Sequence, residues 1–409
     1  MNSGSGFRVP GSGFRVPGSG FRVPGSGFRV FEFWSFSQQA VNDLSQFNHR
    51  YAAKTSTYTN FKPGTRNPEP KTMFDLLKLS EMLSQISQPP EVAKTPSKVV
   101  YRENKLRVLY YLPKVKKTHS VPILIVNSLI NKYYILDLMP GKSYVEYLAN
   151  QGFRVYMIDW GEPDDHDSHL TLEDHINKYL VNITRAVLTH AGAEQVSMIG
   201  YCMGGTMALM YAALHKQFLK NLILLATPVD FHNDSLLSTW AQPEYFNVDQ
   251  FIDRHGNAPV EILKSTFMML KPTKNVTKYV HLAENLHNEE YVKMFQAFDY
   301  WVNDAVAVPG ETFRKFIKDT YQQNLLRQNK MKLGRKLIKL KNVTCPLLNV
   351  VAEHDDIVPL SSSTVVMDLV GSQEREEIRV KGGHHGISVG PGAIKLVWPK
   401  TVEWLANRE

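Results

Sequence analysis

Cysteine is scarce in this chain: Cys202 and Cys345 are the only two among 409 residues. One pair cannot supply the disulfide framework of a small secreted protein, and such usage fits a reducing compartment. Zinc-type Cys/His spacing is absent, so no metal site is expected. No run approaches the roughly eighteen apolar residues that a membrane span needs. The N-terminus lacks the continuous apolar core of a secretory signal. Acidic residues are few at the start of the chain. Residues 1–71 hold nine Lys/Arg against three Asp/Glu, so six of the eight net positive charges lie there and the body is close to neutral. A solvated basic tail follows from that placement, and no nucleic-acid-binding motif accompanies it. The 43% hydrophobic and 21% charged residues are ordinary for a globular protein with a sizeable core.

The tail is repetitive. Gly-Ser-Gly-Phe-Arg-Val-Pro occurs at 4–10, 11–17 and 18–24, and a fourth copy at 25–31 ends in Phe31. Proline and glycine in every unit exclude a continuous helix or a central strand. The period of seven is not a coiled-coil heptad, because helix-forming a and d positions are missing. Residues 1–72 therefore read as a disordered extension. Helices are expected at 33–51 and 73–86, the second ended by Pro89-Pro90.

From Val121 short apolar runs alternate with helical stretches. Strands are expected at Ile123–Val126, Val155–Ile158, Val196–Ile199 and Leu222–Leu225, with helical segments at Tyr144–Gln151, Ile176–His190 and Thr206–Leu214. The alternation fails after Thr227-Pro228, where residues 230–335 carry helical runs and aromatics. It resumes at Leu347–Ala352 and Glu377–Val380, and Trp398–Ala406 closes the chain as a helix. The reading is an α/β-hydrolase fold: a mostly parallel, doubly wound sheet with a helical cap insertion. Its parts are the extension 1–72, a lead-in of helix and strands at 73–120, core at 121–229, cap at 230–335 and core again at 336–409.

Gly200-Tyr201-Cys202-Met203-Gly204-Gly205 lies between the strand ending at Ile199 and the helix beginning near Thr206. Strand, glycine-flanked nucleophile, helix is the layout of a nucleophile elbow, with cysteine in the usual place of serine. Gly200 and Gly204 are needed because side chains there would collide with the strand and helix packing. A cysteine nucleophile needs a base, and the base needs an orienting acid. Both follow in the order such folds use. Asp355 and Asp356 come after the strand Leu347–Ala352, and His384 and His385 after Glu377–Val380. The amide of Met203, after the nucleophile, and the loop at 127–132, which includes Ile130, stand where the fold places the two halves of an oxyanion hole. Cys345, before Pro346 at the start of a strand, reads as a small buried hydrophobe.

The segments Ile130-Asn131-Lys132-Tyr133-Tyr134-Ile135-Leu136-Asp137-Leu138, Asp159-Trp160-Gly161, Gly200–Gly205, Tyr300-Trp301 with Pro309-Gly310-Glu311, and His384-His385-Gly386-Ile387 resemble the polyhydroxyalkanoate synthases. The likeness covers roughly residues 73–409, and the elbow run is similar to that of the two-subunit types (classes III and IV). The resemblance implies Cys202 as acyl-accepting nucleophile, His384 as base and Asp355 as third member. The aspartate is often followed by histidine in that family and the histidine by an apolar residue; here Asp356 and His385 follow, so the assignment within each pair stays open. It further implies an acyltransferase that polymerises 3-hydroxyacyl-CoA, of short chain such as 3-hydroxybutyryl-CoA, onto a growing polyester with release of CoA. No cofactor is implied, since the CoA thioester is itself the substrate. A small helical partner subunit, a homodimer and a cytoplasmic place on the polymer granule surface are implied as well. The competing enzyme reading is a cysteine thioesterase or lactone hydrolase of the same fold. A non-catalytic granule-coat protein is a third reading, which the intact trio of residues disfavours.

Overall fold

The computed structural model describes residues 90–116 and 118–409, without side-chain detail at 274–276. The repeats and the helices expected at 33–51 and 73–86 lie outside the described residues. Eight strands form one sheet: β1 (Ser97–Glu103), β2 (Leu106–Tyr111), β3 (Ile123–Val126), β4 (Val155–Asp159), β5 (Val196–Tyr201), β6 (Leu219–Leu225), β7 (Leu347–Ala352) and β8 (Arg375–Val380). Their spatial order is β1-β2-β4-β3-β5-β6-β7-β8. β2 runs antiparallel to β1 and β4, and every pairing from β4 to β8 is parallel. This is the mostly parallel sheet of an α/β-hydrolase, with one reversed strand near its first edge.

Helices α1 (Tyr144–Asn150), α2 (Leu180–Ala191) and α3 (Met203–Leu214) follow β3, β4 and β5. Between β6 and β7 come α4 (Leu236–Trp240), α5 (Val248–His255), α6 (Val260–Leu270), α7 (Pro272–Glu284), α8 (Glu289–Asn303) and α9 (Gly310–Phe316). After β7 stand the short α10 (Leu360–Thr364) and α11 (Val366–Leu369), then α12 (Gly386–Val389) and α13 (Trp398–Ala406).

Successive side chains of a strand point to opposite faces, and a sheet covered on both sides must be apolar on both. β3 shows it in four residues. Leu124 and Val126 join Leu180, Val187, Met207 and Tyr211 of α2 and α3 in one core. Ile123 and Ile125 join Tyr144 and Leu148 of α1 and Trp398 and Trp404 of α13 in the other. Each fully buried aliphatic side chain contributes about 1.5–3 kcal/mol relative to exposure. The outer strands differ: β1 (SKVVYRE) and β8 (REEIRV) carry charges that discourage edge-to-edge pairing with other chains.

Several boundaries depart from the sequence reading: β6 starts at Leu219 rather than Leu222, β8 at Arg375 rather than Glu377, and β5 runs on to Tyr201. The helix expected from Ile176 opens with π turns over Asp174–Tyr179 before α2, which Gly192 ends in the left-handed region at φ 60°. α3 starts at Met203, three residues before Thr206, because Gly204 and Gly205 are helical. The segment between β6 and β7 adds no strand to the main sheet and carries a small core of its own, including Val248, Ile252, Leu263 and Val308.

Candidate active site

Every residue of the expected chemistry lies just beyond the C-terminal end of a parallel strand. Cys202 follows β5 and precedes α3, with φ 54° and ψ −127°. A non-glycine residue in such a conformation costs about 1–3 kcal/mol, so its surroundings must over-determine it. They do. The Cys202 amide donates to the Leu225 carbonyl at 2.9 Å, and the Cys202 carbonyl accepts from Gly205 at 2.9 Å and Thr206 at 3.3 Å. A Cβ on Gly200 would overlap Gly205, and one on Gly204 would overlap the carbonyls of Val126 and Asn127. Gly205, to which the sequence reading gave no role, is equally constrained, since a Cβ there would overlap the Thr227 side chain.

His384 and Asp355 meet in the interior. His384 Nδ1 and Asp355 Oδ2 are 2.7 Å apart, with side chains 5% and 1% exposed. Asp355 Oδ1 accepts the amides of Ile357 at 2.9 Å and Val358 at 2.8 Å. Two amides and one imidazole thus fix the carboxylate, and its bond fixes the ring of His384 with Nε2 left for the nucleophile. Burial drives the His384 pKa down, but the charge of Cys202, the charge and hydrogen bond of Asp355 and a hydrogen bond with Cys202 outweigh it and carry it up to about 10.

The neighbouring residues of each pair go elsewhere. Asp356 Oδ1 pairs with Lys271 Nζ at 2.6 Å, both partly exposed. His385 lies 3.1 Å from the Tyr201 hydroxyl and packs against Trp301 and Phe298 of α8. Geometry therefore brings Cys202, His384 and Asp355 together, and not Asp356 or His385. Cys345 is half-buried against the first core rather than fully enclosed, and burial raises its thiol to about 11.

Met203 is the first residue of α3, so its amide is among the first-turn N–H groups that have no acceptor within a helix. Ile130 is different: its amide donates to Ser128 Oγ at 3.2 Å, while its carbonyl accepts from Val306 at 3.0 Å. Only the Met203 half of the expected amide pair is thus uncommitted within the chain's regular bonding. The loop after β3 is also fastened to the last turn of α8 and the segment that follows it. Asn131 bridges Ala305, Trp301 Nε1 donates to the Lys132 carbonyl at 2.8 Å, and Tyr134 donates to Asp304 at 2.6 Å. Trp301 belongs to a motif singled out in the sequence, yet nothing in its spacing shows this contact. Tyr201 sits inside the elbow motif and went unassigned for the same reason.

Among the described residues no group of three or more His, Cys, Asp or Glu side chains is placed to hold a metal ion. No described helix is long and apolar enough to cross a membrane.

A family model for the alpha/beta hydrolase fold matches residues 121–391. One for the poly-beta-hydroxybutyrate polymerase (PhaC) N-terminus matches residues 79–148. The chain is 42% identical over 331 residues to the poly(3-hydroxyalkanoate) polymerase subunit PhaC of Haloferax mediterranei, covering 80% of this chain and 66% of that one. The protein of the same name from Haloarcula marismortui is 37% identical, covering 83% of this chain and 74% of that one. That of Allochromatium vinosum is 39% identical, covering 77% and 89% respectively. With the fold model matched over 121–391, the polymerase N-terminus model over 79–148 and relatives 37–42% identical over most of the chain, the chain belongs to the poly(3-hydroxyalkanoate) polymerases, acyltransferases on an α/β-hydrolase fold.

Proposed function

We propose that the enzyme polymerises short-chain 3-hydroxyacyl-CoA, such as 3-hydroxybutyryl-CoA, through a covalent acyl-Cys202 intermediate with His384 as base and Asp355 as its orienting partner. The observation that carries this is the buried 2.7 Å contact between His384 and Asp355 beside a cysteine held at φ 54°. The raised pKa of His384 supports a protonated imidazole beside Cys202 at rest. The thiolate attacks the thioester carbonyl, and the amide of Met203 steadies the oxyanion at the N-terminus of α3. Ile130 supplies a second amide in this reading if the carbonyl oxygen replaces Ser128 Oγ as its partner. Collapse of the adduct breaks the carbon–sulfur bond to CoA, whose sulfur takes the proton from His384. The now neutral imidazole removes the proton of a 3-hydroxyl, either of incoming substrate or of a growing chain. That oxygen attacks the acyl-cysteine, forming the ester and restoring the thiolate–imidazolium pair. Atoms and protons balance over the cycle, with side chains and amides as the only catalysts.

Water in the site would hydrolyse the acyl-cysteine, so we assign the helices over 230–335 the role of a cap that excludes it. The relatives are named as polymerase subunits, which supports a further subunit; we propose that it is small and helical, and that the enzyme works as a homodimer in the cytoplasm at the granule surface. The exposed Met268, Met269, Tyr279 and Val280 on α6 and α7 offer apolar area for such contacts.

The test is incubation of the purified protein with 3-hydroxybutyryl-CoA, with and without a candidate partner subunit, following thiol release and insoluble polyester together. Both are expected, and both should vanish in Cys202→Ala. Polymer formed at an unchanged rate by Cys202→Ala would remove the mechanism. Thiol release without polymer would identify a thioesterase instead.

A further inference from the structure

His385 is a titratable residue beside the site to which the mechanism gives no task. Its Nδ1 lies 3.1 Å from the hydroxyl of Tyr201, the residue immediately before the nucleophile. Its ring centroid is 5.1 Å from that of His384, edge-on at 84°, 5.0 Å from that of Trp301, and 5.5 Å from that of Phe298. Tyr201 also packs its own ring 5.6 Å from His384 and is 3% exposed. One imidazole therefore touches the strand that presents the nucleophile, the loop that presents the base and the helix that overlies both.

We propose that His385 is a positioning residue, holding Tyr201, and through it the Cys202 elbow, by the hydrogen bond at Nδ1, while its ring seats α8 against the His384 loop. This rests on the catalytic reading of Cys202 given above. The physical need is specific. Cys202 is kept in a conformation that an unrestrained residue would leave, and its strand neighbour ends in a buried hydroxyl whose position depends on its partners, His385 and the nearby Ser388. A buried hydrogen bond contributes little net energy when made, but its removal leaves an unsatisfied group that shifts its surroundings. At a strained nucleophile a small shift acts on reactivity before it acts on global stability.

Two substitutions separate the parts. Asparagine carries polar atoms at the same branch position as Nδ1, so His385→Asn retains a partner for Tyr201 without the ring. His385→Phe retains the ring without the partner. The readout is the rate at which iodoacetamide alkylates Cys202, located by peptide mass analysis with Cys345 as internal reference, alongside kcat, KM and the thermal midpoint. His385→Phe should slow Cys202 alkylation and kcat about five- to tenfold, the equivalent of one buried hydrogen bond. KM and the thermal midpoint should hardly change, and His385→Asn should recover most of the rate. Tyr201→Phe should match His385→Phe, and the double variant should be no slower than either single one. Losses that multiply in the double variant, or a His385→Phe enzyme that alkylates at the parent rate, would overturn the proposal. Should the parent Cys202 alkylate no faster than Cys345, the catalytic reading itself fails, and that outcome is distinct from either.

Discussion

Asp355 gives His384 only one of its two oxygens. Oδ2 meets the imidazole at 2.7 Å, and Oδ1 is taken by the amides of Ile357 and Val358. An asparagine here can accept from those amides or orient the imidazole, but its NH2 group then faces either the two N–H donors or the ring nitrogen that must carry the proton. Asp355→Asn is expected to lower kcat by about 10²- to 10⁴-fold, as loss of the orienting carboxylate does in comparable triads. Asp356→Asn breaks a partly exposed pair with Lys271 and should stay within about twofold of the parent. Thiol release from 3-hydroxybutyryl-CoA measures both, and a larger loss in Asp356→Asn would reverse the assignment.

The elbow itself predicts a stability effect. Gly204→Ala places a methyl against the carbonyl oxygens of Val126 and Asn127, two backbone atoms that cannot swing aside. Overpacking of that kind costs about 1–3 kcal/mol. Urea unfolding monitored by tryptophan fluorescence should show a lower midpoint. An unchanged midpoint would mean that β3 and α3 are not in close approach.

The charge state of His384 predicts how stability varies with pH. Its folded-state pKa is raised from 6.5 to about 10, so its contribution is whole below pH 6.5 and is lost as pH rises through about 10. Because the charge of Cys202 heads the influences that raise it, Cys202→Ala should begin that loss at lower pH. Urea midpoints from pH 6 to pH 10 for the two proteins are the comparison, and superimposable profiles would contradict the coupling.

Trp301 offers a test of the tie between α8 and the loop after β3. Trp301→Phe keeps an aromatic ring but removes the donor to the Lys132 carbonyl, leaving that carbonyl without this partner. The expected cost is about 1–2 kcal/mol in unfolding free energy. A several-fold fall in kcat should accompany it if the loop geometry matters for chemistry. Loss of stability with kcat intact would confine the contact to a structural role.

Much of this arrangement could be read before any coordinates. β7 and α13 have the bounds expected of them, because an apolar run broken only by Asn349 and a tryptophan-anchored helical stretch leave little choice. The order of cysteine, acid and histidine beyond three strands was equally plain, since strand ends carry the loops of this fold. What sequence spacing could not resolve was which member of Asp355/Asp356 and His384/His385 turns inward. Adjacent residues on a loop have no fixed periodicity, and the choice depends on two amide bonds to Asp355 and on an aromatic pocket for His385. The start of α3 was misplaced because two glycines look like a loop, although close contact with β3 and Thr227 is what requires them. The bond from Ile130 to Ser128 was invisible for a simpler reason: the direction of a single amide in an irregular loop leaves no trace in composition.

The bridges that join residues 130–134 to residues 301–306 carry a consequence for how the enzyme can work. Half of the proposed oxyanion hole is mechanically part of the covering helices rather than of the sheet. Any displacement of α8 that widens the way in for a bulky chain therefore pulls on the same loop that must hold the carbonyl.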